Sequence, residues 1–501
     1  MTLDILNDKN DFLVIGLVGA VGSRLKSLSN ILKSILDSEF NYIVTELHVS
    51  KEFLQFHSKK EHYTDNFERY TDLMDIGNSL RRKYDTNYLA FKIAQKISIL
   101  RRENPDNKRK AFIINSLKHD SEIKTLRDIY GKNFYQISLY ESPSIRKDVL
   151  INDVGMTKEQ ANTLTDRDEG EENDYGQHTR DAFHLADYFI KYDNKTNEHI
   201  KNSCSRFLEL IFGNPYITPT FNEFSMYMAY TASLRSADLS RQVGAVISKH
   251  RNIISTGAND IPKFGGGLYW PEYNEETGEI YDLPNGRDYQ KGYDSNQKEK
   301  EQIINSIFDT IKENFNSIFN DDNLPHKENV HKLKELIQNS PLKDITEYGR
   351  VVHAEMDAIL ACGRTNNSTV GSSIFVTTFP CHNCAKHIVA AGIKEVFFIE
   401  PYPKSKALIL WDDSMALKSP SINENKLLFH PFVGVGPRSF LDLFSISQGA
   451  GYSLKRKDKE KGSTVEWKST DAKLRLTSNT FSLNEIEQGI ANTIQEIEKT
   501  I

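Results

Sequence analysis

Two stretches decide the reading of this chain: VVHAEMDAILA at residues 351–361 and IFVTTFPCHNCAKHIVAAGIKEVFFI at residues 374–399. They predict a helix over 351–361, a strand over 374–378, a helix over 381–391 closed by Gly392, and a strand over 396–399. The polar residues that interrupt them fall at element ends: His353 and Glu355 near the start of one helix, Cys381 and Cys384 at the start of the next, behind Pro380. Alternating helices and strands with reactive side chains at helix starts describe an α/β domain built around a site.

The residue types point to a metal. A catalytic zinc site takes three nitrogen or sulfur ligands and leaves a fourth position for water. His353, Cys381 and Cys384 supply three. The cysteines, three apart at a helix start, share one face and lie where backbone N–H groups favour thiolate. Two thiolates and a neutral imidazole balance a dication, and Glu355 is placed to carry protons rather than to bind the metal. A lone C-x-x-C is equally consistent with a structural zinc knuckle or two buried thiols. The histidine and the carboxylate at two-residue spacing favour catalysis, whereas Cys204 and Cys362 have no such company and read as buried core thiols.

Upstream, residues 223–234 read as a helix, and 243–247 with 253–257 as a hairpin turning at 249–252. The second domain thus runs β, β, α, β, α, β, interrupted at about 262–346 by a Gly-, Asn-, Asp- and Lys-rich insertion with one helical patch near 303–318. Further upstream, apolar runs at 12–18, 111–114 and 134–139 alternate with helical segments, which predicts a parallel-sheet domain over 1–212. The breakers in GNPYITP at 213–219 set the boundary to a second domain over 213–450. Residues 451–501 are read as a charged loop, KRKDKEKG at 455–462, and a helix with the stripe Leu483, Ile486, Ile490, Ile494 and Ile497.

After the first strand stand Gly16, Gly19, Gly22 and Ser23, placed as a phosphate-cradling loop would be. The spelling departs from G-x-x-x-x-G-K-[ST]: Gly16 and Gly22 are one residue too far apart, and Ser23-Arg24 replaces Lys-Ser/Thr. Binding of phosphate without efficient phosphoryl transfer is the expectation, with a ligand-free tight turn as the alternative.

With 38% hydrophobic and 26% charged residues, 501 residues support two globular cores, and a net charge of -6 gives no general attraction to nucleic acid. No export signal or membrane-spanning run is visible, so a cytoplasmic enzyme is expected. The sequence leaves the oligomeric state open, a homo-oligomer included.

His353-x-Glu355 followed by Pro380-Cys381-x-x-Cys384 matches the H-x-E…P-C-x-x-C pattern of zinc deaminases. Over about 221–403 the chain resembles the cytidine and deoxycytidylate deaminase superfamily, with Ser240-Arg-Gln-Val243-Gly244 and Gly257-Ala-Asn259-Asp as its hairpin. The resemblance implies a mixed sheet flanked by helices, bound Zn2+, and Asn259 on the substrate sugar, although an asparagine there is also a common way to close a turn. The whole chain, with its degenerate P-loop kinase-like N-terminal domain, looks like the bacterial anti-phage dCTP/dCMP deaminases. That resemblance implies deamination of free dCTP or dCMP, draining dCTP, with a regulatory nucleotide at the N-terminal loop and nucleic acid not the substrate. Nucleic-acid base editing, with Tyr269-Trp270 stacking on a strand, and a catalytically silent nucleotide sensor are the competing readings. Arg167-Asp168-Glu169, His178-Thr-Arg180, Arg287-Asp288, Asp294-Ser-Asn296 and Lys404 fit the same resemblance, and Arg180, Arg287 and Lys404 are candidates for either phosphate contacts or ion pairs.

Overall fold

In the first strand, Leu13, Ile15 and Leu17 enter one buried core while Phe12 and Val14 beside them enter another, the period of two that a strand covered on both faces requires. A computed structural model describes residues 12–499 apart from 61, 104–108, 170–175, 177, 193–196, 315–325, 339, 341, 343–347, 402–404, 419–424, 450–451, 459–462 and 477–479. The chain forms two compact units, 1–224 with 431–501, and 225–430.

In unit 1, β1 (Leu13–Gly19), β2 (Ile43–His48), β3 (Lys110–Leu117), β4 (Phe134–Glu141) and β5 (Tyr188–Tyr192) form a parallel sheet in the order β5-β4-β1-β3-β2. Helices α1 (Leu25–Phe40), α2 (Tyr88–Arg102) and α3 (Asn197–Ile211) supply much of the cover. Cys204 is buried in this unit's core.

The expected boundaries at 212 and 450 differ from the observed ones. The short strand Gly434–Val435 pairs antiparallel with β5, and Val435, Leu443 and Leu474 lie in the first unit's core. The C-terminal helix Thr480–Lys499 also belongs to this unit, where Glu487 meets Arg101 of α2 at 2.7 Å, largely buried. Ile494 of the apolar stripe is buried and Ile486 is exposed; the side chains of Leu483 and Ile497, and residues 459–462, lie outside the described residues.

Unit 2 holds β6 (Gly244–Lys249), β7 (Asn252–Ala258), the small hairpin β8 (Glu272–Tyr273) and β9 (Ile280–Tyr281), then β10 (Ser373–Thr378), β11 (Glu395–Glu400), β12 (Met415–Leu417) and β13 (Leu427–Pro431). Its main sheet runs β12-β13-β11-β10-β6-β7 and is mixed: β6 is antiparallel to β7 and β10, while β10 is parallel to β11. Helices α4 (Ala354–Arg364) and α5 (His382–Ala390) pack Ala354, Ala358, Cys362, Ala385 and Ile388 onto Ala245, Ile247, Ile374 and Val376.

The insertion is more regular than its composition suggests. Besides β8 and β9 it holds a short helix Asp288–Lys291 and helices Ser295–Asn314 and His326–Gln338. The second of these begins earlier than the apolar spacing indicates because Asp294 caps it, accepting from the Gln297 N–H at 2.8 Å. Residues 315–318 of the expected patch lie outside the described residues. Among the described residues no helix is long and apolar enough to cross a membrane.

Candidate metal centre and cavity

Helix α4 starts at Ala354, three residues later than expected, and this start creates the site. His353 is its extended N-cap, with φ −69 and ψ 153, so the imidazole leaves the helix end, and its carbonyl accepts the first helical bond from Asp357. Glu355 sits in the first turn. Just before, Val352 bridges antiparallel to Asp260, which brings the approach to His353 beside the end of β7. Cys381 is likewise the N-cap of α5, its Sγ accepting from the Cys384 N–H at 3.4 Å. Two helix starts therefore face one point. His353 Nδ1 lies 3.4 Å from Cys381 Sγ and 3.3 Å from Cys384 Sγ, and the three ligand atoms fall within 4.8 Å of one another.

The electrostatics suit a cation. The hydrogen bond with Cys384, followed by that with His353, pulls the Cys381 thiol down to about 4. The bond to Cys381 holds His353 up at about 9, and the same thiolate together with burial pushes Cys384 up. Metal ligation needs thiolates and a neutral imidazole, so a dication here displaces the protons that Cys384 and His353 otherwise keep. Burial pushes the Glu355 carboxyl up, and Glu355 is only 4% exposed.

His353, Glu355 and Cys381 line a cavity of about 260 Å³ together with Asn259, Arg241 and Asp238. Asn259 is nearly buried, and both ends of its amide are engaged: Oδ1 accepts from the Val243 N–H at 2.6 Å and Nδ2 donates to the Arg241 carbonyl at 2.8 Å. It thus shapes the wall it lines. Cys362 is buried away from this cluster in the unit core. Arg235 covers the Trp270 ring at 3.7 Å and donates to the Tyr269 carbonyl, so these aromatics tether their loop. Arg287 lies in a buried pairing with Asp260 at 3.2 Å and Asp282 at 3.4 Å; Lys404 lies outside the described residues.

The glycine turn of unit 1 holds a different arrangement. Gly16 is a strand residue, where a β-carbon would stand 2.8 Å from the Leu117 side chain; it is a packing glycine and not part of the turn. Gly19 ends β1. Gly22, at φ +82, would place a β-carbon 2.7 Å from the Arg146 carbonyl oxygen. Three of the turn's N–H groups have partners from the chain itself: Val21 donates to Asp168 Oδ2 at 2.6 Å, Ser23 to the Ala20 carbonyl at 3.0 Å, and Arg24 to Glu141 Oε1 at 2.9 Å. Lys118, just past β3, bonds the Gly19 carbonyl and Asp168 Oδ1, which Thr179 also approaches. Lys118 and Glu141 were not singled out in the sequence; their signal was a charged residue at or just past the end of an apolar strand. Among the described residues the Ser23 hydroxyl is buried without a hydrogen-bond partner.

Three N/S side chains that could hold a metal stand at two helix starts with a buried carboxylate beside them, the arrangement that suits a hydrolytic metal enzyme. The model of the cytidine and deoxycytidylate deaminase zinc-binding region matches residues 219–400. The deoxycytidylate deaminase of Enterobacteria phage T4 is 31% identical over 208 residues, 40% of this chain and 91% of that protein. The chain belongs to the deoxycytidylate deaminase family, and His353, Cys381 and Cys384 fit its zinc. Among solved structures, the dCMP deaminase of cyanophage S-TIM5 with dCMP and dUMP is 18% identical, with 43% of this chain and 100% of that chain covered at a TM-score of 0.23. A gluconokinase from Sinorhizobium meliloti 1021 is 12% identical, with 40% and 94% covered at 0.23. At such scores these two likenesses carry no weight.

Proposed function

We propose that this chain hydrolyses the 4-amino group of a free deoxycytidine nucleotide, dCTP or dCMP, converting it with water to the uracil nucleotide and ammonia. The observation that carries the reading is the buried Glu355 beside the His353, Cys381 and Cys384 cluster, opening into a cavity of about 260 Å³. Zinc, when bound, supplies a Lewis acid that makes water a nucleophile near neutral pH. Glu355 takes the first proton that the attacking water gives up and delivers it to N3 of the base, then takes the second proton from the oxygen now bonded to C4 and passes it to the amino group, which departs as ammonia. The first turn of α4 holds this carboxylate out of bulk water, where it both accepts and returns protons. Asn259 and the 241–243 segment it clamps form the part of the wall that receives the sugar.

Acting on dCTP, this reaction drains a DNA precursor, the outcome that the likeness to anti-phage deaminases implies. A regulatory nucleotide at Gly19, Gly22 and Ser23 has to displace Asp168 and Glu141 from the Val21 and Arg24 N–H groups.

The test is incubation of the purified zinc-loaded chain with dCMP, dCTP, CTP and single-stranded DNA, following ammonia and uracil products. Deamination of dCMP or dCTP above the other two is expected. Deamination of the DNA with both free nucleotides untouched sinks the proposal.

A further inference from the structure

The insertion reaches the cavity. Asp294 and Asn296 stand among its lining residues, beside Gly349 from the segment that leads into His353. Three attachments hold this stretch in place. Arg287, 4% exposed, pairs with Asp260, the neighbour of Asn259, and donates to the Tyr269 carbonyl at 2.7 Å. Asp288, 6% exposed, accepts from Arg350 at 2.7 Å, next to Gly349 and Val351. The Asn296 side chain accepts from the Tyr348 N–H at 3.3 Å. Gly292, at φ +76, ends the short helix and turns the chain towards Asp294. One carboxylate oxygen of Asp294 caps the following helix, and its other oxygen has no hydrogen-bond partner among the described residues.

We propose that Asp294 is a specificity-determining residue of the deaminase site, hydrogen-bonded to a sugar hydroxyl of the nucleotide, and that Arg287 and Asp288 are positioning residues that hold it there. This rests on the proposed nucleotide deamination. The chemistry selects the contact. A carboxylate accepts hydrogen bonds and repels phosphate, and the base amino group belongs at Glu355, so the sugar is the part of the nucleotide that suits Asp294. Arg241 is the one permanently cationic side chain lining the cavity among the described residues, and it falls to the phosphate. The insertion is thereby part of the substrate site, joined to the core by the Arg287–Asp260 pair, buried on both sides, and by the half-buried Arg350–Asp288 pair; rupture of the first leaves a buried carboxylate without its guanidinium.

Asp294→Ser separates the two duties of the side chain, because serine still caps the helix but withdraws the second oxygen. In the zinc-loaded full chain, kcat and KM are measured with dCMP, dCTP, CMP and CTP. Asp294→Ser is expected to raise KM about tenfold, the loss of one hydrogen bond, with kcat within about twofold, and to change the ratio of deoxy- to ribonucleotide kcat/KM. Zinc content stays at the wild-type level. Arg287→Met reproduces the KM rise, and Arg287→Lys, which keeps a charge for Asp260, recovers part of it. A wild-type chain inactive on all four nucleotides overturns the proposed function itself. An active wild type with Asp294→Ser kinetically unchanged overturns the role of Asp294 alone.

Discussion

Gly257 on β7 lies so close beneath Ala354 that a β-carbon built on it stands 2.2 Å from the Ala354 carbonyl oxygen and 2.5 Å from the Ala358 nitrogen. Both neighbours are helix backbone, so α4 approaches the sheet only because residue 257 has no side chain. His353 caps this helix and Glu355 stands in its first turn. Gly257→Ala therefore lifts the helix start that carries His353 and Glu355. The expected result is a stability loss of about 2 kcal/mol from overpacking, together with most of the activity. Denaturant unfolding and deamination rates check it; a variant of wild-type stability and rate rules out the close packing.

Glu355→Gln tests the proton carrier apart from the metal. The amide keeps the size of the side chain but transfers no proton, so turnover should fall by about a thousandfold. Zinc should remain at wild-type stoichiometry, because the ligand atoms belong to His353, Cys381 and Cys384. Metal analysis beside ammonia release separates the two effects, and loss of zinc from this variant would falsify the division of roles.

Cys381→Ser and Cys384→Ser remove thiolates from a three-ligand cluster. Each is expected to lose zinc and activity together, and chelation of the wild type should abolish activity until zinc is returned. A Cys384→Ser protein that keeps one zinc per chain after dialysis against chelator counts against the ligand set.

In unit 1, Asp168 is fully buried and receives the Val21 N–H, Lys118 and Thr179. Asp168→Asn removes the charge opposite Lys118 and is expected to cost about 3 kcal/mol of stability, the scale for breaking a buried pair. The same change weakens the chain's own anion at the glycine turn, so pyrophosphate or a nucleoside triphosphate should bind this variant more tightly than wild type. Calorimetric titration of both proteins decides; equal affinities mean that Asp168 does not compete with phosphate.

The His353, Cys381 and Cys384 cluster was legible because its signal is local. A histidine two residues before a glutamate, and cysteines three apart behind a proline, converge through backbone geometry within one turn of each helix. Strands β1, β3 and β4 of the first sheet and β6, β7, β10 and β11 of the second were legible for the same reason, whereas β2, β5, β12 and β13 were not read from the sequence. Helix starts were less so. Whether α4 begins at Val351 or Ala354 depends on Val352 bridging to Asp260, a partner far away in sequence.

By itself, then, the sequence determined which residues could gather a metal, where the carboxylate stood, and that two α/β domains would form, all consequences of side-chain spacing along one element. Only the tertiary structure decided that residues 431–501 return to the first unit, that Gly16 packs inside a strand, that Asp168 fills the glycine turn from 147 residues away, and that Arg350 and Asp288, 62 residues apart, hold the insertion at the cavity. The physical reason is that hydrogen bonds and ion pairs depend on distance in space. Local periodicity reports which face of an element is apolar, but it does not say which distant carboxylate arrives opposite a given N–H or guanidinium.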